Sequence, residues 1–338
     1  MSDTTLNATE SGMLADIRLH DIVVGVDGSD ESFAALRWAL NEASLTGQQV
    51  NAVFAWSHSW DMGSEPEDEE QWAEVRHEIA QRLRDWVSKA SQGMTINEDH
   101  VKLTSVKATG TSALLEIGKD AQQIVVGRRS LGRVARWFLG SLSESLAEAA
   151  QVPVTIVRIL DDEESSVQDA IANALTPSEN TVTYDLPGSP LPKNQRPIVV
   201  GVDGSETSRH ALRFAIDLAA LHHAPLQVMF CWQLKDLGVI EGYENAIAPI
   251  AVGQERAERI LDELLDSVEI PTAGIPDDFQ IESHAFHISA AKGLIAASRY
   301  ARHLVVGSRG LSGLDAHFLG SVSKQIVNFA DCTVTVVY

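Results

Sequence analysis

The sequence predicts an α/β fold in which two tandem three-layer sandwiches each contain a five-stranded, mostly parallel sheet. The segment Ile-Val-Val-Gly-Val-Asp-Gly-Ser at residues 22–29 recurs without a change at residues 198–205, which indicates two copies of one domain. A Val-Val-Gly segment precedes a Phe-Leu-Gly-Ser segment by the same distance in both halves, at residues 125–141 and 305–321. Short apolar runs alternate with helical periodicity along each half, as is typical of parallel strands joined by right-handed helical crossovers.

The length of the chain agrees with two domains. A chain of 338 residues suits two domains of about 140 to 150 residues, each large enough to bury a substantial apolar core. Residues 1–20 are polar and aperiodic, so we expect a flexible leader there. The first domain is predicted over residues 21–160 and the second over 196–338. Residues 161–195 open with an acidic run and contain several prolines, which is typical of a linker.

The elements of the first domain follow from its periodicity. A strand at residues 22–26 ends in Asp-Gly-Ser, and small or aliphatic residues then recur at helical spacing over residues 32–45. A second helix over residues 72–87 carries apolar residues three and four positions apart, so its tryptophans are expected in the core. The other elements are predicted as strands at 50–56, 101–106, 124–126 and 152–159, a short helix around 114–115, and a helix starting at 141.

The second domain repeats this order of elements. Its last strand is so apolar that we expect it either inside the sheet or against the edge of a partner's sheet. Strands are predicted at 198–202, 226–232, 280–285, 304–306 and 333–337, and helices at 208–221, 257–268 and around 294–298.

A glycine-containing loop follows the fourth strand of the second domain. The strand ends at Gly307, Gly310 follows three positions later, and Gly320 with Ser321 stands ten beyond that. Glycine lets a ligand approach the main chain closely, and the start of a helix presents N–H groups that bind anions. The pattern favours a phosphate site, although loops also collect glycine for turn geometry alone.

An aspartate stands directly after the first strand of each domain. Asp27 and its repeat Asp203 lie at the carboxyl end of a central strand, where open α/β sheets place their ligands. A single Asp-Gly-Ser would favour a turn with a helix cap. Its recurrence together with the glycine loop favours a ligand site.

Charge and cysteine content limit the class of protein. The chain has 26 basic and 47 acidic residues, and its net charge of -21 repels nucleic acid and anionic membrane surfaces. Any phosphate is therefore expected to be held by local geometry. No apolar segment resembles a signal peptide or a membrane span, so we expect a cytoplasmic protein. Its two cysteines, Cys231 and Cys332, lie in apparent strands and are expected as free thiols.

Taken together, strand–Asp-Gly-Ser–helix at the front and Gly-x2-Gly-x9-Gly-Ser at the back resemble the universal stress protein family. The chain looks like its tandem form, and the resemblance covers about residues 20–160 and 196–338. It implies a flavodoxin-like or Rossmann-like sandwich and, for members with the glycine motif, binding of ATP. Family members commonly pair through the last strand, so residues 152–157 are expected near 333–337 in one chain, related by a pseudo-twofold axis. A homodimer and a protein partner are left open.

The resemblance also implies site residues in the second domain. Asp203 would approach the ribose or the phosphates, and the main chain near Cys231 would meet the adenine. Gly307 and Gly310 would shape the phosphate loop. The remaining donors to the phosphates would be Gly320, Ser321 and Ser323.

The first domain matches the same motif with one departure. Its corresponding residues are Asp27, Ala55, Gly127, Ser130, Gly140, Ser141 and Ser143. Ser130 stands where the second domain has its middle glycine, and a side chain is disfavoured wherever positive φ is required. Arg128 and Arg129 precede it and either pair with phosphate or point to solvent. We therefore expect the second site to bind ATP more tightly than the first.

Enzyme chemistry is not indicated by the motifs. There is no Gly-x4-Gly-Lys-Ser/Thr loop, and the histidines form no recognisable metal pattern, so Mg²⁺ is expected only through ATP near Asp27 and Asp203. The resemblance implies a non-enzymatic ATP-binding protein that acts in stress response or signalling through ligand-dependent conformation or partner binding. The alternatives are a slow ATPase or adenylyl-transferring enzyme of the same fold, and repeats that are purely structural.

Overall fold

Helices and strands alternate along both halves of the chain. The computed structural model describes residues 21–56, 68–96, 98–128, 141–159, 196–244, 246–269, 276, 279–310 and 319–338. The first half contains β1 (Ile22–Gly25), α1 (Asp30–Thr46), β2 (Val50–Trp56), α2 (Glu69–Ala90), β3 (Val101–Lys107), α3 (Gly110–Ile117), β4 (Gln123–Gly127), α4 (Ser141–Ala149) and β5 (Val154–Val157). The second contains β6 (Ile198–Val202), α5 (Glu206–Leu221), β7 (Leu226–Trp232), α6 (Ile250–Asp266), β8 (Ile281–His287), α7 (Ala290–Ala297), β9 (His303–Gly307), α8 (Ser321–Phe329) and β10 (Thr333–Val337).

The predicted α/β fold class is confirmed, and the two sheets join into one. The strand order is β3-β2-β1-β4-β5-β10-β9-β6-β7-β8. Strands pair in parallel within each half, whereas β5 and β10 pair antiparallel, with Thr335 opposite Thr155. In each half the chain runs outward from the central strand and then crosses to its other side, which places a topological switch point between β1 and β4 and between β6 and β9.

The helices cover both faces of the sheet and enclose three apolar clusters. On one face, α1 and α2 pack on the first half, where Leu36 and Leu83 are buried, and α5 and α6 pack separately on the second half. On the other face, α3 and α4 share one continuous cluster with α7 and α8, to which Leu146 and Ile326 belong. Because this cluster contains residues of both repeats, they bury one core in common.

A chain of buried polar groups crosses the junction between β5 and β10. The hydroxyls of Thr155 and Thr335 lie 2.7 Å apart, and both residues are fully buried. Thr155 Oγ1 donates to Gln123 Oε1 at 2.9 Å, and His303 Nε2 lies 2.7 Å from Thr335 Oγ1. Since Thr155 uses its proton on Gln123, Thr335 donates to Thr155 and accepts from the N–H of His303. The directions of these hydrogen bonds therefore require a proton on Nε2 of His303.

Several predicted boundaries shift by a few residues. Helix α6 begins at Ile250, seven residues before its predicted start, and β5 is shorter than the predicted strand at 152–159. Cys332 precedes β10 rather than lying in it, although it is buried. The predicted leader and the whole of the predicted linker lie outside the described residues. Within the part of the chain that the structure describes, every helix is too short or too polar to cross a membrane.

Candidate functional site

The predicted site residues of the second repeat gather at a topological switch point. Asp203 follows β6 directly, Gly307 ends β9, and these two strands are neighbours in the sheet. The segments that follow them therefore leave the same edge of the sheet and diverge, which opens a crevice at the carboxyl ends of the strands. Open α/β sheets bind their ligands at such crevices.

Asp203 is held in place by the turn that follows it. Gly204 has φ of 86°, a value that side chains disfavour, and this conformation brings the Ser205 N–H to 3.0 Å from Asp203 Oδ1. The Ser205 hydroxyl in turn accepts the N–H of Ser208 at 3.2 Å and caps α5. The turn-and-cap interpretation of Asp-Gly-Ser is thus correct, and the same turn fixes the aspartate carboxylate at the crevice.

Gly310 is required by that carboxylate and not by its own backbone angle. The sequence left open whether the middle glycine has a positive φ, and Gly310 lies outside the left-handed region. A Cβ atom at Gly310 would instead lie 2.3 Å from Asp203 Oδ2. The glycine therefore makes room for the carboxylate, and a side chain there would push Asp203 aside.

Three hydrogen bonds hold the glycine loop against its neighbours. Thr207 Oγ1 donates to the carbonyl oxygen of Arg309 at 2.7 Å, and Gly320 N–H donates to Ser308 O at 2.8 Å. Ser323 is buried, and its hydroxyl donates to Gly307 O at 2.6 Å. The proton of Ser323 is therefore used within the loop, which differs from its expected role as a donor to phosphate.

The first turn of α8 presents donors to the crevice. Its N-cap is Gly320, and none of the described side chains caps this helix, whereas Ser205 caps α5. The first N–H groups of a helix have no partner within the helix, and together with the helix dipole they favour an anion. Ser321 begins this helix and is exposed. The arrangement can therefore accept a phosphate group beside the glycine loop, against which Gly320 packs.

Cys231 occupies the penultimate position of β7. This strand neighbours β6 on the side away from β9. Its Sγ faces Gly293, since a Cβ atom on that glycine would lie 2.6 Å away. Burial raises the pKa of the Cys231 thiol to about 12, so the thiol stays protonated at neutral pH. The contact that the resemblance implies here is one of the main chain near Cys231 with the adenine, and it stays a prediction.

The first repeat brings its corresponding residues to the opposite edge of the sheet. Asp27 is exposed, and its Oδ1 accepts from the N–H of Ser29 at 3.0 Å. Ala55 is the penultimate residue of β2, and Ser143 is buried on α4. Gly127 ends β4. Ser130 and Gly140 lie outside the described residues, and of Ser141 only its position at the start of α4 is described.

Three residues that shape the two crevices were missed by the sequence reasoning. Thr207 supplies the bond to the Arg309 carbonyl, and its counterpart in the first repeat is Glu31. A Cβ atom on Gly127 would lie 2.2 Å from the Glu31 main-chain oxygen, so α1 approaches this loop more closely than α5 approaches Gly307. Trp86 covers Gly28, where a Cβ atom would lie 2.6 Å from the indole. The only signal was the sequence difference between the repeats at these positions.

Two cavities lie in the described part of the protein. A cavity of about 340 Å³ between α6 and β8 includes none of the predicted site residues. A second cavity of about 750 Å³ borders the glycine loop at Ser308 and Arg309 and reaches the first repeat at α4. Among the residues that the structure describes, no cluster of His, Cys, Asp or Glu side chains is arranged to hold a metal ion.

Comparison with known proteins agrees with the geometry. The model of the universal stress protein family matches residues 19–158 and again 195–338. A universal stress protein of Mycolicibacterium smegmatis is 29% identical over 325 residues, which cover 94% of this chain and 97% of that protein. One of Mycobacterium tuberculosis is 29% identical over 322 residues, covering 93% and 95%. The crystal structure of a universal stress protein from Archaeoglobus fulgidus covers 94% of this chain and 97% of its own, with a TM-score of 0.57 and 16% identity, which shows a shared fold.

Proposed function

The chain belongs to the universal stress protein family, and we propose that its second repeat binds ATP in the crevice between Asp203 and the glycine loop. The observation that carries this proposal is the close approach of the Asp203 carboxylate to Gly310, in a loop that also packs against a helix start that no described side chain caps. A carboxylate suited to a ribose hydroxyl or to phosphate-bound Mg²⁺ and N–H groups suited to phosphate thus both adjoin the glycine loop.

Each predicted residue then has a role in holding the nucleotide. The main chain near Cys231 would contact the adenine at the end of β7. Gly307 and Gly310 would let the phosphates approach the main chain, and Ser321 with the first turn of α8 would donate to them. Ser323 and Thr207 would position the loop through its carbonyl groups and would not contact the ligand.

We propose that the first repeat also binds ATP, but more weakly. This site would be built from Asp27, Ala55, Gly127, Ser130, Gly140, Ser141 and Ser143. Asp27 is exposed where Asp203 is half-buried, and charge interactions are screened more strongly by water at an exposed position. Trp86 also covers Gly28 in this repeat, whereas the nearest described atom to a Cβ atom on Gly204 would be 3.7 Å away, on Ile260. We therefore expect the site in the second repeat to fill first as ATP is added.

At the level of the whole protein, we propose a cytoplasmic stress-response or signalling module without enzymatic activity. Its units would be residues 21–160 and 196–338, joined by the linker at 161–195. The bound nucleotide would stabilise one conformation and thereby bias partner binding or formation of a homodimer. The pairing of β5 with β10 supports close coupling, because both crevices adjoin helices of the shared core.

Replacing Asp203 by Asn should weaken ATP binding about tenfold or more, because a charge-assisted contact is lost. Folding should change by less than about 1 kcal/mol, since the Asn side-chain oxygen can still accept the N–H of Ser205. Calorimetric titration with ATP and a thermal melt without ligand measure the two effects.

The matched control is Asp262→Asn, which removes the same charge from an exposed position on α6 outside the site. This variant should bind ATP as the unmodified protein does. Equal affinity in Asp203→Asn and Asp262→Asn would remove Asp203 from the proposed site.

A further inference from the structure

Two arginines of the first repeat reach across the junction to the C-terminal end of α8. The guanidinium of Arg128 donates to the carbonyl oxygens of Ala330, at 2.8 Å, and of Asn328. Arg158 donates to the same Ala330 carbonyl and, at 3.0 Å, to the carboxylate of Asp331. The last carbonyl groups of a helix lack partners within it and carry partial negative charge, so cationic donors stabilise them.

The second repeat has no such side chains at the equivalent positions. Ser308 follows β9 as Arg128 follows β4, and their N–H groups make equivalent bonds, to Val337 O at 2.6 Å and to Val157 O at 2.9 Å. Tyr338 stands where the first repeat has Arg158. Two guanidinium groups are thus replaced by a short hydroxyl and a phenol.

The cavity of about 750 Å³ lies at this position. It is lined on the first repeat by the C-terminal end of α4, including Glu148, Ala150 and Gln151, and on the second by Ser308 and Tyr338. The Tyr338 hydroxyl donates to the carbonyl oxygen of Ala147 at 2.6 Å. The carbonyl groups of Glu148 and Ala150 correspond in the repeat to the two carbonyls that the Arg128 guanidinium binds. The end of α4 therefore offers this cavity the same kind of acceptor group that the end of α8 offers Arg128.

A buried hydroxyl in the cavity wall also lacks a partner. Ser308 is 1% exposed, and within the described part of the chain its Oγ has no hydrogen-bond partner. An unsatisfied buried polar atom in a native protein costs about 1–3 kcal/mol, so the second repeat carries an unsatisfied group beside the cavity at the position where the first repeat has Arg128.

The charges around the cavity favour a cation slightly. Arg309 lines the wall, and Lys324 contacts Glu144 and, at 3.2 Å, Glu148. These two cations balance the two carboxylates, and the end of α4 adds roughly half a negative elementary charge. An occupant with a single positive charge and several N–H donors therefore matches the wall better than an anion does.

We propose that this cavity binds a small organic cation of the guanidinium or primary ammonium class, which takes the place that the Arg128 side chain occupies in the first repeat. Its N–H groups would donate to the carbonyl oxygens at the end of α4. The proposal does not depend on nucleotide binding, because the residues that line the cavity include none of those assigned to the nucleotide.

The test uses the full chain and agmatine, a small guanidinium compound with a primary amine. Calorimetric titration should show saturable binding of agmatine and no binding of tetramethylammonium, which has the same charge sign but no N–H donors. Equal heats and equal thermal shifts with both compounds would reduce the effect to general screening and would overturn the proposal.

Two variants locate the site. Ser308→Arg should fill the cavity as Arg128 fills its counterpart and should weaken agmatine binding at least tenfold. Glu148→Gln, a change at a partly buried position where the carboxylate pairs with Lys324, should weaken it roughly two- to fivefold. If Ser308→Arg folds, unchanged affinity for agmatine in both variants would overturn the proposal. If Ser308→Arg does not fold, unchanged affinity for agmatine in Glu148→Gln would overturn it.

Discussion

Deleting residues 331–338 should abolish cooperative folding of the chain, not merely lower its melting temperature. The deletion removes β10, which pairs in parallel with β9 and antiparallel with β5 in the middle of the sheet. Val334, Val336 and Val337 are buried, and burying each valine contributes about 1.5 kcal/mol or more, so the loss rivals the stability of a typical domain. Circular dichroism melts and gel filtration measure the outcome.

A single substitution gives a milder version of the same test. Val336→Asp should destabilise the protein by several kcal/mol, because it buries an unpaired carboxylate in the core that both repeats share. The control is Val239→Asp, at a position that is 78% exposed, and it should melt like the unmodified protein. A truncated protein that kept its melting temperature and oligomeric state would show that β10 does not belong to the core.

Acid should destabilise the junction between the repeats through His303. Burial lowers the pKa of His303 to about 3, and the neighbouring His222 and Arg302 act in the same direction. The unfolded chain binds this proton near pH 6.5, whereas the folded chain resists it until about pH 3. Stability is therefore lost as pH falls below about 6.5, and between pH 7 and pH 5 this group alone removes about 2 kcal/mol.

The neighbouring repeat supplies the variant that isolates this effect. Gln123 occupies the position of His303 in the first repeat and joins the same hydrogen-bond chain without titrating. The free energy of unfolding, measured in urea, should therefore fall by about 2 kcal/mol less in His303→Gln than in the unmodified protein between pH 7 and pH 5. His222, which contacts Glu42 at 2.5 Å and Arg302 at 2.8 Å, remains in both proteins and cancels in the comparison. Identical pH profiles would show that His303 does not couple folding to protonation.

The local sequence pattern predicted much of the fold and part of the candidate site. The repeated strand–Asp-Gly-Ser segment predicts β1 and β6 and the helices that Ser29 and Ser205 cap, because the signals for strands and helix starts are local. The repeats also predict that Asp203 and the glycine loop share one sheet edge, since the carboxyl ends of parallel strands meet there. These conclusions need only sequence neighbours and the handedness of crossovers.

What the sequence could not predict depends on contacts between distant residues. The role of Gly310 follows from the position of the Asp203 carboxylate, which lies far earlier in the chain. Arg128 was expected to bind phosphate or to face solvent, and it instead binds carbonyl groups at the end of α8 in the other repeat. Such contacts depend on how the two repeats pack, which periodicity does not encode.

Native mass spectrometry of the full chain with ATP and Mg²⁺ tests the central claim most directly, because it reports both the identity and the number of bound nucleotides. At low ATP we predict a mass increase of one intact ATP, and at higher ATP a second, weaker adduct. The single adduct should be lost in Asp203→Asn and retained in Asp262→Asn. Absence of any ATP adduct, or an adduct of ADP alone, would contradict the account of a nucleotide-binding module that does not hydrolyse its ligand.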